Sequence, residues 1–525
     1  MPASITVSRL GWSTPDGRPV LSNLDLSFGG ERTGLVGRNG VGKSTLLKLI
    51  AGELLPNAGT LAMAGTLGVL RQAVQTDPGE TVADLFGATA ALEMLRRAES
   101  GDADAEDLAH ADWTLEQRMA AALGRLGLDA GPGTRLATLS GGQRTRMALA
   151  ALVFKEPDFI LLDEPTNNLD SEGRRAVIDL LASWRGGAIV VSHDRALLET
   201  VDAIVELTGL GATRYGGNFS HYCERKALEL AAARHDLADA EKRLAEVAER
   251  AQERAERKTR RDRAGQAKRR KGDIPRIQLN TLRNRSENSG GGEARLGERQ
   301  RIEAADDLAS ARRRVEILQP LSVVLPSTGL PAGKTIVQLD RVSAGYASNR
   351  PVIRDLSLAV TGPERLAVTG PNGSGKTTLL ALITGRLAPW AGTVRLAVEH
   401  AVLDQQVSLL DPQASIRDNF RRLNPAADEN ACRASLARFM FRADAALQLV
   451  SSLSGGQLLR AGLACVLGVR PPALLILDEP TNNLDLESIA AVEGGLRAYD
   501  GALLVVSHDE AFLHAIGISR RLELR

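Results

Sequence analysis

Four short motifs occur twice in this chain, in the same order and at nearly the same spacing. The first copy is a glycine-rich loop with a lysine, a Leu-Ser-Gly-Gly-Gln run, a Leu-Asp-Glu-Pro run and a Ser-His-Asp run, at 37–44, 139–143, 162–165 and 192–194. The second copy lies at 370–377, 453–457, 477–480 and 507–509. A GxxxxGK(S/T) loop joins a buried strand to a helix and turns its backbone N–H groups toward phosphate oxygens. The repeat therefore predicts two α/β domains of the P-loop NTPase type, each with its ligand at the carboxyl ends of the strands.

The two copies keep their spacing except at one place. Lys376 follows Lys43 by 333 positions, whereas Ser454 follows Ser140 by 314, so the first copy is longer by 19 residues between these motifs. A repeat of this length is a domain rather than a solenoid unit. We predict a first domain at 1–220, a linker at 221–333 and a second domain at 334–525.

The linker differs in composition from both domains. It has no Phe, Tyr or Trp between Cys223 and Gly345, and two of its stretches keep apolar residues at a spacing of three and four. This spacing predicts two helices that pack antiparallel as a hairpin. The first would run from about 218 to about 263 and reach roughly 70 Å at 1.5 Å per residue. Gly265, Gly272 and Pro275 would break it near the tip.

Composition excludes several other classes of protein. The three cysteines form no CxxC pair, which argues against a zinc site or a disulfide framework. No apolar run reaches 18 residues, and the N-terminus lacks the pattern of a secretory signal. We therefore expect a cytoplasmic protein.

The motifs predict two sites for ATP and magnesium. Lys43 and Lys376 would reach the β- and γ-phosphates. The phosphate-binding loops contribute Gly37, Asn39, Gly40, Gly42, Lys43, Ser44, Thr45, Gly370, Asn372, Gly373, Gly375, Lys376, Thr377 and Thr378. The magnesium ligands would be Ser44, Asp163 and Gln72 in the first copy, and Thr377, Asp478 and Gln405 in the second. A glutamine after a strand is common, so the two glutamines rest on their matching register alone.

Two pairs of residues are candidates for catalysis. Glu164 and Glu479 directly follow the aspartates and would orient the attacking water as general bases. His193 and His508 end the next apolar strand and would sense the γ-phosphate. Trp12 and Tyr346 precede the glycine-rich loops at similar distances and would stack on adenine, although an ordinary packed aromatic explains them nearly as well.

A basic block lies in the linker. Between Arg257 and Arg285 the chain has twelve Lys or Arg and two acidic residues. Such a run is often only a solvated surface, but its charge suits phosphate contacts with structured RNA, and the lack of aromatics argues against stacking on single strands. The predicted RNA contacts are Arg257, Lys258, Arg260, Arg261, Arg263, Lys268, Arg269, Arg270, Lys271 and Arg276.

Together these motifs resemble the ATP-binding cassette (ABC) proteins, and the charged linker between two cassettes resembles the ABC-F subfamily. The resemblance covers essentially the whole chain. It implies a fold of two tandem ABC-type domains joined by a helical hairpin, working as one intramolecular pair in a monomer. It also implies that Ser140, Gly141, Gly142 and Gln143 complete the ATP site of Lys376, and that Ser454, Gly455, Gly456 and Gln457 complete that of Lys43.

The same resemblance implies a partner. Such ATPases bind the ribosome near its tRNA exit site when closed on ATP, extend the linker toward the peptidyl-tRNA, and leave after hydrolysis. Some are translation factors and others give antibiotic resistance, and the sequence leaves both open. Two features depart from the family pattern. The second signature continues Leu458-Leu459-Arg460 instead of Arg144-Thr145-Arg146, which allows unequal rates. The 19-residue excess is short for a ribosome-binding arm.

Two other functions fit the cassettes less well. An ATP-binding subunit of a membrane transporter would have no use for the basic tip. A DNA-repair ATPase would be expected to carry zinc modules or much longer coiled coils.

Overall fold

The computed structural model describes residues 3–70, 77, 79–102, 108, 110–167, 169–209, 211–270, 298–312, 325–346, 350–482 and 484–524. The chain divides into two compact units. One contains Met1–Ser220 together with Pro320–Arg525, and the other contains His221–Gln319. No helix in the described part of the chain combines the length and apolarity needed to cross a membrane.

In the described ranges, the first domain contains nine strands, the seven α-helices named below and a 3-10 helix at Leu136–Thr138. The strands are β1 Ser4–Ser13, β2 Pro19–Phe28, β3 Arg32–Val36, β4 Ala58–Ala64, β5 Leu67–Leu70, β6 Phe159–Asp163, β7 Gly187–Val191, β8 Ala203–Thr208 and β9 Gly211–Gly216. The helices are α1 Lys43–Ile50, α2 Val82–Phe86, α3 Thr89–Ser100, α4 Leu115–Gly124, α5 Gly141–Phe154, α6 Ser171–Ser183 and α7 Arg195–Leu198.

The core of this domain is a six-stranded sheet in the order β5-β6-β7-β3-β8-β9. All neighbours run parallel except β8 and β9. The strands β3, β6 and β7 are almost fully buried and apolar, as strands covered on both faces must be. The predicted strands before the motifs are therefore confirmed. A small antiparallel sheet, β2-β1-β4, packs with the glycine-rich loop helix α1 around one apolar cluster.

The second domain repeats this plan. After β10 Thr335–Ala344 it has β11 Ile353–Thr361, β12 Arg365–Thr369, β13 Ala391–Leu396, β14 His400–Leu403, β15 Leu474–Asp478, β16 Ala502–Val506 and β17 Arg520–Glu523. The main sheet is parallel, in the order β14-β15-β16-β12-β17, and β11-β10-β13 forms the antiparallel sheet. The helices are α10 Lys376–Ile383, α11 Ile416–Leu423, α12 Glu429–Arg438, α13 Gly455–Leu467, α14 Leu486–Ala498 and α15 Glu510–Ala515.

The second unit is helical in its described part. Helix α8, Phe219–Arg270, has 52 residues, about 78 Å at the rise of an α-helix. A second helix, α9, covers 298–312. Ala240 of α8 packs with Leu308 and Ala311 of α9, and Arg312 donates to Glu241 over 3.2 Å. Helix α8 continues seven residues past the expected end near 263, because one glycine, Gly265, costs a helix only about 1 kcal/mol among good helix formers.

Candidate active sites

Both predicted phosphate loops fold around their lysines in the same way. The Lys43 ammonium donates to the carbonyls of Gly37 at 2.7 Å and Arg38 at 3.2 Å. Lys376 donates to Gly370 at 2.8 Å and Pro371 at 3.0 Å. Gly37 has φ +149°, and a Cβ there would lie 2.3 Å from the Leu207 carbonyl oxygen, so only glycine fits. We name the two regions the Lys43 site and the Lys376 site.

The predicted magnesium ligands meet at the ends of the central strands. Asp163 ends β6, and the Ser44 hydroxyl bonds to its carboxylate; Thr377 does the same for Asp478 at the end of β15. Burial raises the pKa of both aspartates. Oδ1 of Asp163 is buried and has no hydrogen-bond partner among the described residues. A hydroxyl beside an unsatisfied carboxylate oxygen fits magnesium, which takes its other ligands from phosphates and water.

The described residues contain no cluster of three or more His, Cys, Asp or Glu side chains placed to hold a metal ion. The ion would neutralise charge that develops on the phosphates when it is bound.

Glu164 and Glu479 are held in a backbone conformation that is rare for glutamate. Their φ angles are +49° and +47°, in the left-handed region. The Glu164 amide still donates to Val191 at 2.9 Å, and the Glu479 amide to Val506 at 2.8 Å. Burial raises the pKa of Glu164 to about 8 and that of Glu479 to about 7, opposed by Lys43 and Lys376. Values near neutrality suit a general base.

The two histidines lie against these glutamates. Nε2 of His193 is 3.3 Å from Oε1 of Glu164, and Nε2 of His508 is 3.5 Å from Oε1 of Glu479. Neither pair is aligned as a hydrogen bond, since both Nε2 atoms are unsatisfied among the described residues. Burial lowers the pKa of His193 to about 3 and that of His508 to about 4, so both rings are neutral at pH 7. A neutral ring can donate one bond and accept another near the γ-phosphate.

Residues of the second domain line the cavity at the Lys43 site. A cavity of about 890 Å³ around the loop is lined by Lys43, Ser44 and Glu164 and, from the second domain, by Ser454 and Gly455. The Asn39 amide donates to Oδ2 of Asp485 at 2.8 Å. The structure thus brings this signature motif to the loop that the sequence predicted for it.

The Lys376 site also touches the other domain. Oγ of Ser171 lies 3.2 Å from Nδ1 of His508. Burial lowers the pKa of Lys376, and Asp170, the residue before Ser171, is one of the carboxylates that oppose this effect. The predicted contact of Ser140–Gln143 with ATP at this site stays a prediction.

Both signature motifs have a second role that sequence reasoning missed. Ser140 caps helix α5: its hydroxyl accepts from the Gln143 amide at 3.2 Å, and the Gln143 side chain accepts from the Ser140 amide at 2.9 Å. Ser454 and Gln457 form the same capping box at helix α13. The Ser-x-x-Gln spacing carries this signal. The capping boxes explain the presence of Gln143 and Gln457 by local helix structure. The contact of these two glutamines with ATP stays a prediction.

Two ion pairs between the domains were also missed, because three of their four residues lie outside the motifs and Arg38 occupies a variable position of the glycine-rich loop. Arg38 contacts Glu487 with two hydrogen bonds, one of 2.8 Å from Nη2 to Oε1. Arg195 contacts Glu493 at 2.7 Å, with Glu493 only 5% exposed. A comparison of the two repeats for unmatched charges would have indicated them.

The remaining predictions meet mixed outcomes. Trp12 lines the cavity at the Lys43 site, whereas Tyr346 is 70% exposed. Trp12 lies opposite Leu21 of β2 in the first domain, whereas in the second domain it is Ala344, two residues before Tyr346, that lies opposite Ile353 of β11. Trp12 and Tyr346 therefore do not occupy matching strand positions, and adenine stacking stays a prediction. Gln405 lines a cavity of about 250 Å³ between the domains, which we call the central cavity. Gln72 lies outside the described residues.

The predicted RNA contacts lie mostly on helix α8. Arg257, Arg260 and Arg263 are exposed there. Lys258, Arg261, Lys268, Arg269 and Arg270 belong to the same helix. Lys271 and Arg276 lie outside the described residues. Their contact with RNA stays a prediction.

Comparison with known proteins places these sites in context. The model of the ABC transporter family matches residues 21–167 and 353–482. The chain is 33% identical to the tylosin resistance ATP-binding protein TlrC of Streptomyces fradiae, over 94% of this chain and 92% of that protein. It is 32% identical to the energy-dependent translational throttle protein EttA of Mycobacterium tuberculosis, over 94% and 87%. The structure of an RNase-L inhibitor shares the fold, with TM-score 0.59 and 19% identity over 99% and 87%.

Proposed function

We propose that this chain, which belongs to the ABC-F subfamily of the ABC family and is an ATP hydrolase, acts on the ribosome. In this proposal the two domains close on two ATP molecules and the closed form binds near the tRNA exit site. The linker then extends toward the peptidyl-tRNA. Hydrolysis opens the domains and releases the protein.

One observation supports this most strongly: two predicted ATP sites share a chain with a 52-residue helix whose last part carries the predicted phosphate contacts. Closure has a physical basis at the Lys43 site, since its cavity includes Ser454 and Gly455 of the other domain. ATP held there would contact both domains, and hydrolysis would remove the γ-phosphate that joins them. The names of two relatives, one for translational throttling and one for tylosin resistance, fit a ribosomal partner.

Sedimentation tests the proposal. The double variant Glu164→Gln, Glu479→Gln keeps the shape of both sites but removes the bases, so it should hold ATP and stay closed. We expect it to sediment with purified 70S ribosomes in ATP and to stay in the supernatant in ADP. Failure to sediment with ribosomes in ATP at low salt would remove the ribosome from the proposal.

The linker has its own test. Replacing Lys268, Arg269, Arg270 and Lys271 with Ala in the same background should weaken ribosome binding and flatten its dependence on salt, because each phosphate contact releases counterions. ATPase activity without ribosomes should stay unchanged. Loss of that activity would show that the basic block serves the ATP sites instead. Translation assays with and without tylosin would then separate a translation factor from an antibiotic-protection protein.

A further inference from the structure

The central cavity lies between the two catalytic centres. Its volume is about 250 Å³, and its walls include Glu164 and His193 of the first domain and Glu479 and His508 of the second. Among the described residues that line it, Arg174 is the one side chain with a permanent positive charge. Four carboxyl side chains and one guanidinium line this small volume. The local electric field therefore depends strongly on where the guanidinium lies.

Arg174 is firmly anchored. It lies in the first turn of helix α6, and its Nε and Nη2 contact Oδ2 of Asp194 at 3.0 and 2.9 Å. The Asp194 carboxylate is 5% exposed, and its other oxygen caps helix α7 by accepting from the Ala196 amide at 3.0 Å. Asp194 directly follows His193. The guanidinium is therefore fixed to the catalytic centre of its own domain while it lines a cavity shared with the other.

The first turn of α6 faces the second domain's centre. Ser171, three residues before Arg174, contacts His508 at 3.2 Å. Burial lowers the pKa of His508 and the charge of Arg174 adds to this effect, whereas burial raises the pKa of Glu479 and the charge of Arg174 opposes that rise. The first turn of α6 thus places a hydroxyl in contact with His508 and a cation in the cavity that Glu479 and His508 line.

The mirror position has no such cation. Arg174 corresponds to Ile489, which follows it by 315 positions, the spacing that also separates Asp163 from Asp478. Ile489 is buried and lines the same cavity. Ser171 likewise corresponds to Leu486. At this position the Lys43 site therefore meets apolar side chains where the Lys376 site meets a guanidinium and a hydroxyl.

We propose that Arg174 is a positioning residue, supplied by the first domain, for ATP hydrolysis at the Lys376 site. Its positive charge, which lines the central cavity together with Glu479 and His508, favours the orientation of these two side chains that the attacking water requires. In that step the water oxygen bonds to the γ-phosphorus, its proton passes to Glu479, and the bond to the β-phosphate oxygen breaks to release ADP. With Ile489 in the mirror position, the Lys43 site lacks this support and hydrolyses ATP more slowly.

Single-turnover hydrolysis in two backgrounds tests this. Glu164→Gln leaves only the Lys376 site active, and Glu479→Gln leaves only the Lys43 site. Arg174→Ile should lower the maximal rate about tenfold in the first background, because misplaced catalytic groups cost up to a hundredfold. It should change the rate less than twofold in the second, and the ATP concentration for half-maximal rate should stay nearly constant in both. Arg174→Lys should restore part of the loss.

A matched control is available one residue away. Arg175 is exposed on the same helix, so Arg175→Ile makes the same chemical change outside the cavity. It should leave both rates unchanged. Equal losses in the two backgrounds, a loss with Arg175→Ile as large as with Arg174→Ile, or a change only in the ATP concentration for half-maximal rate would each overturn the proposal. Thermal unfolding of every variant identifies any loss that comes from misfolding.

Discussion

The Lys43 site and the Lys376 site share their motifs but differ in how the opposite domain reaches them. At the Lys43 site, ion pairs join the domains: Arg38 with Glu487, and nearby Arg195 with Glu493. The mirror positions of Arg38, Arg195 and Glu493 are Pro371, Glu510 and Ile178, which cannot form these pairs. The Lys376 site instead receives Ser171 and the charge of Arg174.

This difference indicates that the contacts between the domains have different roles at the two sites. Charge pairs at the Lys43 side hold the domains together, whereas the polar groups at the Lys376 side act on the catalytic pair. A duplicated chain keeps its motifs because both sites bind the same nucleotide. The residues around the motifs are free to diverge, and they differ where the domains meet.

The largest expected effect comes from removing the bases. Glu164→Gln with Glu479→Gln should lower steady-state phosphate release at least about a hundredfold, as general bases contribute at that scale. The single variants compare the two sites: Glu479→Gln should lower the rate of phosphate release more than Glu164→Gln does. The exposed Glu172→Gln is the control and should have no effect. Equal losses of rate in the two single variants would contradict the proposal that the two sites hydrolyse ATP at different rates.

A smaller effect is expected at the buried pair. Arg195→Met keeps much of the side-chain length but loses the charge, which leaves Glu493 with only Arg497 at 3.5 Å among the described ion pairs. The ATP concentration needed for half-closure should rise about tenfold, and a double-mutant cycle with Glu493→Gln should give a coupling free energy of about 1–3 kcal/mol. Fluorescence energy transfer between dyes on the two domains measures closure. The mirror variant Glu510→Gln should not change it, and additive effects in the cycle would mean the pair does not hold the domains.

The exposed pair should contribute least. The side chains of Arg38 and Glu487 are 58% and 41% exposed, so solvent and ions screen them. Arg38→Ala should weaken closure by about 1 kcal/mol or less at low salt, and the difference from the unaltered protein should vanish near 1 M salt. Titrating closure with ATP at both salt concentrations checks this. A loss that persists at high salt would point to a structural role for Arg38 in its loop.

The sequence predicted the elements of the fold well, for physical reasons. Apolar runs before Asp163 and Asp478 could only be buried strands, and the order of motifs fixed which side chains end them. Arg174, Arg195 and Glu493 could not be found this way, because no local pattern marks a residue that acts across the boundary between the domains. Helix α8 also extends past its predicted end near 263, since Gly265 lies among residues that favour helix.

The left-handed backbone of Glu164 and Glu479 has an evolutionary consequence. A residue with a side chain in that conformation costs about 1–2 kcal/mol, and glycine would remove the cost. Each domain would therefore become more stable to heat if glycine replaced its catalytic glutamate. Selection for thermal endurance alone would drive both positions toward glycine and leave a longer-lived protein that binds nucleotide without turning it over. The two glutamates persist only where turnover itself is under selection.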